Sequence, residues 1–312
     1  MKPQKPNLFQ MARGPFLSSI VSPLIAGTLL AVSINNSVNI LGFLFVLILG
    51  IGLHIATNVY NDIYDTIQGT DKINVHRNEF SGGSGILLDH PGMMPDMYNL
   101  ARAGLVMGLI ATIALTMFVV EKSFWIYLWG LYLLSAFFSK FYTAAPLKVA
   151  YRGLGEISVW FAFGPMAILV AAVSQNVGLH PIIITAMPAT GISTLSILLL
   201  GQLIDLDADK ATGKWGVAAR FGTKATSYIY LLVQIFLIID IIVLAQVLHR
   251  RGWVILMSLI PYVLILPNIW KIMNKSHADP TALKPAAKMN VQLHLLFSIL
   301  LSLGIGIYLI LR

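Results

Sequence analysis

Nine runs of roughly twenty apolar residues, each closed by a short polar stretch, dominate this 312-residue chain. A hydrocarbon core of about 30 Å is crossed by about 20 helical residues, so each run is long enough to span a bilayer. The runs lie near 14–33, 39–61, 97–120, 123–143, 153–175, 181–204, 226–248, 252–272 and 289–311. They are far longer than the roughly 10-residue alternating strands of a membrane barrel, and backbone amides in lipid must be paired within their own segment. The expectation is an all-α polytopic membrane protein. Its nine helices form one transmembrane domain over 1–312, bundled around a central cavity. Composition excludes a soluble globular domain: 57% of residues are hydrophobic and 11% charged, against roughly a quarter charged in soluble proteins.

Charge sets the expected topology. With nine spans, the amino terminus and the connections after the even-numbered helices share one side, and they carry 17 of the 21 Lys and Arg residues. Lys122, Arg250, Arg251 and Arg312 fall on the other side. The positive-inside rule therefore places the amino terminus and the even connections in the cytoplasm of an inner or plasma membrane protein. The net charge of +8 is a topology signal. Its scatter over short segments gives no continuous stripe for nucleic acid, which is excluded as a partner. Residues 1–13, interrupted by Pro3 and Pro6, lack the small-residue cleavage site of a signal peptide, so the first helix is expected to stay attached. Having no cysteine, the chain has no disulfides, thiolate metal ligands or Cys nucleophiles.

Two connections on the basic side, about 62–96 and 205–225, open with carboxylates. In "NVYNDIYDTIQGTD" (58–71), preceded by His54, the residues His54, Asn58, Asn61, Asp62 and Asp65 fall on one helical face. In "GQLIDLDADKATGKWG" (201–216), Gln202, Asp205 and Asp209 repeat the pattern. Two such stripes facing one another across a cavity suit Mg²⁺, a hard cation that prefers oxygen ligands and is often completed by substrate phosphate. Arg77, Lys148, Arg152, Lys210 and Arg220 lie on the side where a diphosphate would sit. The single aspartates also have a plainer reading as solvated helix ends, which is the favoured one for Asp89 and Asp207. His54 fits a satisfied buried histidine better than a ligand. A third block, 141–165, joins helices 4 and 5 and carries Tyr142, Lys148, Tyr151, Arg152 and Glu156. An ionisable Glu156 just inside a span points to function, with a salt bridge to Arg152 or Lys148 as the structural alternative.

Three blocks carry a family resemblance: "NDIYDTIQGTD", "DLDADKATGKWGVAARFG" and "YTAAPLKVAYRGLGE". With them the chain resembles the intramembrane aromatic prenyltransferases of the UbiA superfamily, most of all the 1,4-dihydroxy-2-naphthoate polyprenyltransferases of menaquinone synthesis. The resemblance implies Mg²⁺-dependent transfer of a polyprenyl group from an allylic diphosphate to an aromatic acceptor. In that role Asn61, Asp62, Asp65, Asp205 and Asp209 hold Mg²⁺ and the diphosphate, with support from Asp71. It further implies that Arg77, Lys148 and Arg220 contact phosphate, with Arg152 and Lys210 nearby, and that Asn58 and Tyr142 face the acceptor. Many naphthoate enzymes carry Asn-Asn-x-Arg before the second motif, where this chain has Gly201, Gln202, Leu203 and Ile204. Gln202 keeps an amide oxygen, and the arginine is missing. Homogentisate, 4-hydroxybenzoate, a lipid or a tetrapyrrole acid remain alternative acceptors, and an ion-coupled carrier is the reading from another class. Tail length and oligomeric state are not encoded in these motifs.

Overall fold

The computed structural model describes residues 5–312, and Lys2 and Pro3 of the amino-terminal lead fall outside them. Among the described residues nine helices are long and apolar enough to cross a membrane. They are α1 (Gly14–Asn35), α2 (Ile40–Gln68), α3 (Pro91–Phe118), α4 (Lys122–Phe141), α5 (Gly155–Val173), α6 (Pro181–Ile204), α7 (Val217–Val247), α8 (Gly252–Ser276) and α9 (Pro280–Leu311). The apolar runs locate all nine. The chain is an integral membrane protein with an all-helical fold.

Helices α2, α3, α7, α8 and α9 extend beyond their apolar runs, all at the end of the bundle that carries the aspartates. The Asn39 side chain caps the start of α2 by accepting from the Gly42 amide, and the helix continues past residue 61 to Gly69, whose φ of 85° closes it. Asp62 and Asp65 are thus held on rigid helix rather than in a loop. Helix α7 starts at Val217 rather than 226 because Gly222, at φ 81° and ψ 168°, kinks it and lets a polar first segment fold back over the site. Helix α9 starts at Pro280, capped by the Asp279 side chain.

Packing divides the bundle in two. Helices α2, α3 and α4 pack together, α2 most extensively on α3, while α6, α7, α8 and α9 form a second group. Helix α1 touches both, lying against α5, α9 and α2. Small residues permit the close crossings, since lipid supplies no hydrophobic force to press helices together and dispersion at short range must do so. A methyl on Gly52 of α2 would sit 2.6 Å from the Gly104 carbonyl of α3, and one on Gly191 of α6 would sit 2.2 Å from the Trp160 carbonyl of α5. One buried cluster, with Leu30, Ile168, Leu199, Tyr230 and Phe297, fills the second group. Another, with Leu24, Leu49, Leu115 and Leu128, fills the first.

Candidate active site

The end of α2, the connection after it, the end of α6 and the connection to α7 enclose a cavity of about 220 Å³. Asn58, Asn61 and Asp65 line it from α2, Asp71 and Asn74 from the following turn, Gln202 and Asp205 from the end of α6, and Asp209 and Lys214 from the segment beyond. The two carboxylate stripes therefore face a common space. Tight turns make this possible. Thr70–Ile73 is a single helical turn carrying Asp71, and the chain then returns through Gly82, Gly83 and Gly85, all at positive φ. Gly83 passes so close that a methyl there would stand 2.8 Å from the Asp71 carboxylate. Beyond α6, the short helix Leu206–Ala211 presents Asp209, and Gly213 at φ 73° reverses the chain so that Lys214 points back inward.

Asp62, Asp65, Asp71 and Asp209 are buried, and Asp205 is half-buried. The hydrogen-bonding is specific. Tyr151 donates its hydroxyl to Asp65 Oδ1 at 2.7 Å, while Lys214 Nζ and Asn61 Nδ2 approach Asp65 Oδ2 at 3.1 and 3.2 Å. The same ammonium lies 3.9 Å from Asp209 Oδ1, bridging the two stripes. Asn74 donates to Asp205 at 2.8 Å, and Thr66 to Asp71 at 3.3 Å. Burial, reinforced by Asp65 and Asp62, pushes the Asp71 carboxyl up to about 7. Burial likewise pushes Asp209 up to about 7 against the opposing pull of Lys214, and raises Asp205. For Lys214 burial disfavours the charge, yet Asp65 and Asp209 hold its ammonium well above the ordinary lysine range.

Five buried or half-buried carboxylates around two cations, Lys214 and Arg13, leave the chamber itself richer in acidic than in basic side chains. Among the described residues no three His, Cys, Asp or Glu side chains converge into a ready-made metal nest. The oxygens are instead spread around a space. That donor set fits Mg²⁺, which keeps waters and is completed by phosphate oxygens, better than a cation fully caged by protein.

The structure moves several expected residues away from the cavity wall. Asp62 lies one position off the lining face; it accepts from the Ser84 amide at 3.2 Å and faces Arg13 at 3.6 Å. None of Arg77, Lys148, Arg152, Lys210 and Arg220 lines the cavity. Arg77 packs behind the glycine turn, against Gly82 and Gly85. Lys148 stacks its ammonium 5.5 Å over the Tyr151 ring. Arg152 donates to the Pro146 carbonyl, Arg220 arches over Gly153 to the Arg152 carbonyl, and Lys210 is exposed. Sharing a membrane side did not bring them within reach. Gln202 lines the cavity, but its amide is engaged: Nε2 donates to Glu156 at 2.6 Å and Oε1 accepts from the Ala218 amide. Glu156 also accepts from the Val217 amide at 2.6 Å. It thus ties α5 to α6 and to the start of α7, and forms neither of the salt bridges weighed for it. Lys214 and Arg13 are the cations that do line the cavity. Tyr142 lines both this cavity and a second, almost wholly apolar one of about 110 Å³ between α1, α2, α4 and α5. The two share the walls His54, Thr57, Tyr142, Val159 and Phe163, so a polar chamber adjoins a greasy one.

Comparison with known proteins bears on this arrangement. No protein-family model matches the chain. The 2-carboxy-1,4-naphthoquinone phytyltransferase of Synechocystis sp. is 24% identical over 296 residues, covering 94% of this chain and 90% of that protein. The 1,4-dihydroxy-2-naphthoate octaprenyltransferase of Bacillus subtilis is 28% identical over 229 residues, covering 71% and 69%. A UbiA homologue from Aeropyrum pernix K1 superposes with a TM-score of 0.66 at 15% identity over 93% of this chain and 97% of that one. A UbiA homologue from Archaeoglobus fulgidus bound to DMAPP and Mg²⁺ gives 0.59 at 14% identity over 94% and 98%. A nine-helix bundle with facing aspartates at one end, together with these relatives, defines an intramembrane enzyme that transfers prenyl groups. The fold is that of the UbiA homologues of known structure, and the chain's sequence relatives are of the dihydroxynaphthoate prenyltransferase type.

Proposed function

We propose that this enzyme transfers a polyprenyl group from an allylic diphosphate to 1,4-dihydroxy-2-naphthoate, with loss of the ring carboxylate as CO₂, in menaquinone synthesis. The amino terminus and the polar chamber face the cytoplasm. The observation that carries the reading is the meeting of both aspartate stripes on one chamber that adjoins an apolar one. A prenyl diphosphate has the same two parts. In this reading Asn61, Asp65, Asp205 and Asp209 hold Mg²⁺, Asp71 supports them, and Asp62 acts from behind through Ser84 and Arg13. When bound, Mg²⁺ supplies Lewis-acid stabilisation of the negative charge on diphosphate oxygens.

The chain's own residues carry the remainder. Lys214 sits where its ammonium can pass from Asp65 to a phosphate oxygen as the allylic C–O bond breaks and its electron pair leaves with the diphosphate. Tyr151, fixed between Thr70 and Asp65, keeps Asp65 in one rotamer. The electron-rich ring carbon then forms the new C–C bond, and expulsion of CO₂ restores aromaticity, so the attacked carbon needs no strong base. Val159, Phe163 and Met166 of the apolar chamber line the path for the first isoprene units. The test is incorporation of labelled prenyl diphosphate by the purified protein in lipid with Mg²⁺, offering dihydroxynaphthoate, homogentisate and 4-hydroxybenzoate in parallel. Expected are a decarboxylated naphthalene product and no transfer by Asp65→Ala or Asp205→Ala. Preference for another acceptor would overturn the naphthoate assignment, and transfer by either aspartate variant would overturn the site.

A further inference from the structure

On the chamber's side of the membrane the ends of α7 and α8 form a crevice of their own, and none of its residues lines the chamber. The opening stretch of α8, Gly252–Leu259, packs on α7, whereas the rest, Ile260–Ser276, leans on α9 and touches α7 little. The two helices therefore part toward the basic side. Two side-chain contacts bridge the gap. Tyr228 of α7 meets Trp270 of α8 with ring centroids 5.4 Å apart, and Thr223 Oγ1 stands 2.9 Å from His277 Nδ1. From Trp270 to His277 the chain advances about 10 Å along the axis. Lys224, Lys271 and Lys275 lie within that interval, all exposed. Among the described residues none of the three has a carboxylate within salt-bridge distance. The nearest acid in sequence, Asp279, is spent on the Thr281 and Ala282 amides.

Sidedness alone accounts for lysines at this end of the bundle, but not for three in one crevice with no acid among them. Lys271 and Lys275 stand one helical turn apart, a like-charge spacing that costs stability unless an anion is shared. Aromatic side chains favour the headgroup level of a bilayer, and Tyr228, 47% exposed, lies one turn inward of Lys224. Further inward the crevice walls are apolar: Leu232 and Ile235 continue the face of Tyr228, Val263 continues that of Trp270, and all three are exposed. Cations above an aromatic pair above an apolar slot match one molecule from head to tail. We infer that the crevice between α7 and α8 holds an anionic phospholipid of the leaflet on the chamber's side, its phosphate on Lys224, Lys271 and Lys275. Occupancy bears on the chamber. Thr223 follows Gly222, the kink from which the polar start of α7 folds back over the site, and Val217 and Ala218 at the far end of that segment reach Glu156 and Gln202. A headgroup that ties Lys224 to Lys271 and Lys275 steadies the hinge from its outer side.

Lipid retention tests this without catalysis. The full-length protein is purified in detergent, exchanged into an equimolar mixture of phosphatidylglycerol and phosphatidylcholine, and weighed with its bound lipid by native mass spectrometry. The wild type is expected to retain one phosphatidylglycerol, preferred about 30-fold over phosphatidylcholine, the surface attraction of about two lysines. Lys224→Gln combined with Lys271→Gln is expected to bring that ratio close to one. Lys284→Gln combined with Lys288→Gln removes the same charge from exposed lysines of α9 and is expected to keep the preference. Equal losses in the two double variants would reduce the effect to general surface charge and overturn the site; so would equal retention of both lipids by the wild type. Inorganic phosphate is expected to displace nothing, and its displacing the lipid would overturn the lipid assignment in favour of a free phosphate. Hydrogen exchange in nanodiscs reads the hinge separately. Amides of residues 217–222 are expected to exchange about fivefold more slowly in phosphatidylglycerol than in phosphatidylcholine, and at one rate in the Lys224→Gln, Lys271→Gln protein. A single rate in the wild type would overturn the link between the lipid and the hinge.

Discussion

Removing the Lys214 charge provides the sharpest test of how the chamber is held together. Lys214→Met keeps the length and most of the volume of the side chain and deletes the ammonium that stands 3.1 Å from Asp65 and 3.9 Å from Asp209. At an effective dielectric constant of about 20, those separations correspond to attractions of about 5 and about 4 kcal/mol. Desolvation of all three groups offsets much of this, since both carboxylates are buried and the lysine side chain is only 20% exposed. What the variant loses is compensation: two buried carboxylates remain with no cation between them, and breaking such a pair costs about 3 kcal/mol or more. The metal-free variant is therefore expected to melt about 5 °C or more below the wild type. The assay is thermal challenge in detergent with EDTA, read by fluorescence-detected size exclusion. Adding Mg²⁺ with inorganic pyrophosphate should narrow the gap, because divalent charge then occupies the same carboxylates. Asp65→Asn in the Lys214→Met background should recover much of the loss, giving a large coupling in the double-mutant cycle. If Lys214→Met melts with the wild type, or if the two substitutions are additive, the bridging role of this ammonium is refuted.

The neighbouring geometry yields two more expectations. Gly83→Ala places a methyl at φ 71° and 2.8 Å from the Asp71 carboxylate; it should cost about 1–2 kcal/mol of stability and raise the KM for prenyl diphosphate, whereas Gly92→Ala, whose methyl meets nothing, should do neither. Asp71 and Asp209 titrate near 7 when folded and near 4 when unfolded, so between those values the unfolded chain binds fewer protons and stability falls as pH rises. The metal-free protein should accordingly melt at a lower temperature at pH 8 than at pH 6, while its affinity for Mg²⁺ with pyrophosphate, measured by calorimetry, rises over the same interval.

How much of this was legible in the sequence follows a physical division. Hydropathy locates spans because lipid imposes it, and α6 is located to the residue over 181–204, opening at Pro181 after a His180 cap. Hydropathy is silent where a helix leaves the bilayer. The polar start of α7 and the last seven residues of α2 are helical through capping and packing, which no apolar run reports. The aspartates were legible because their spacing repeats with the helix. The cations were not. Sidedness narrowed them to one end of the bundle, but Arg152 and Arg220 found backbone carbonyls there, and Lys148 found a tyrosine face. Lys214 carried a local signal: it directly follows Gly213, and a glycine turn just past the second motif aims its successor back at the carboxylates. Arg13 carried none, because its partners on α2 lie more than forty residues away and meet it only when α1 packs against that helix. Nor did the sequence show that Gln202 and Glu156 satisfy one another, since each alone looks like an unspent polar group inside a span.

The two cations of the chamber have a bearing on how a reaction cycle ends. Lys214 lies at the aspartate end of the chamber and Arg13 beside the Phe16 ring, so in the proposed reaction positive charge stands at both ends of the space that the two anionic substrates occupy. In the proposed reaction both anions depart, one as diphosphate and the other as carbon dioxide, and the product that remains is an uncharged hydrocarbon-tailed ring. Each basic side chain is left with its own aspartates alone, Asp65 and Asp209 for Lys214 and Asp62 for Arg13. Turnover in such a chamber needs no moving part to eject its product, because the chemistry itself cancels the affinity that brought the substrates in, and the bilayer beside the apolar chamber becomes the better solvent.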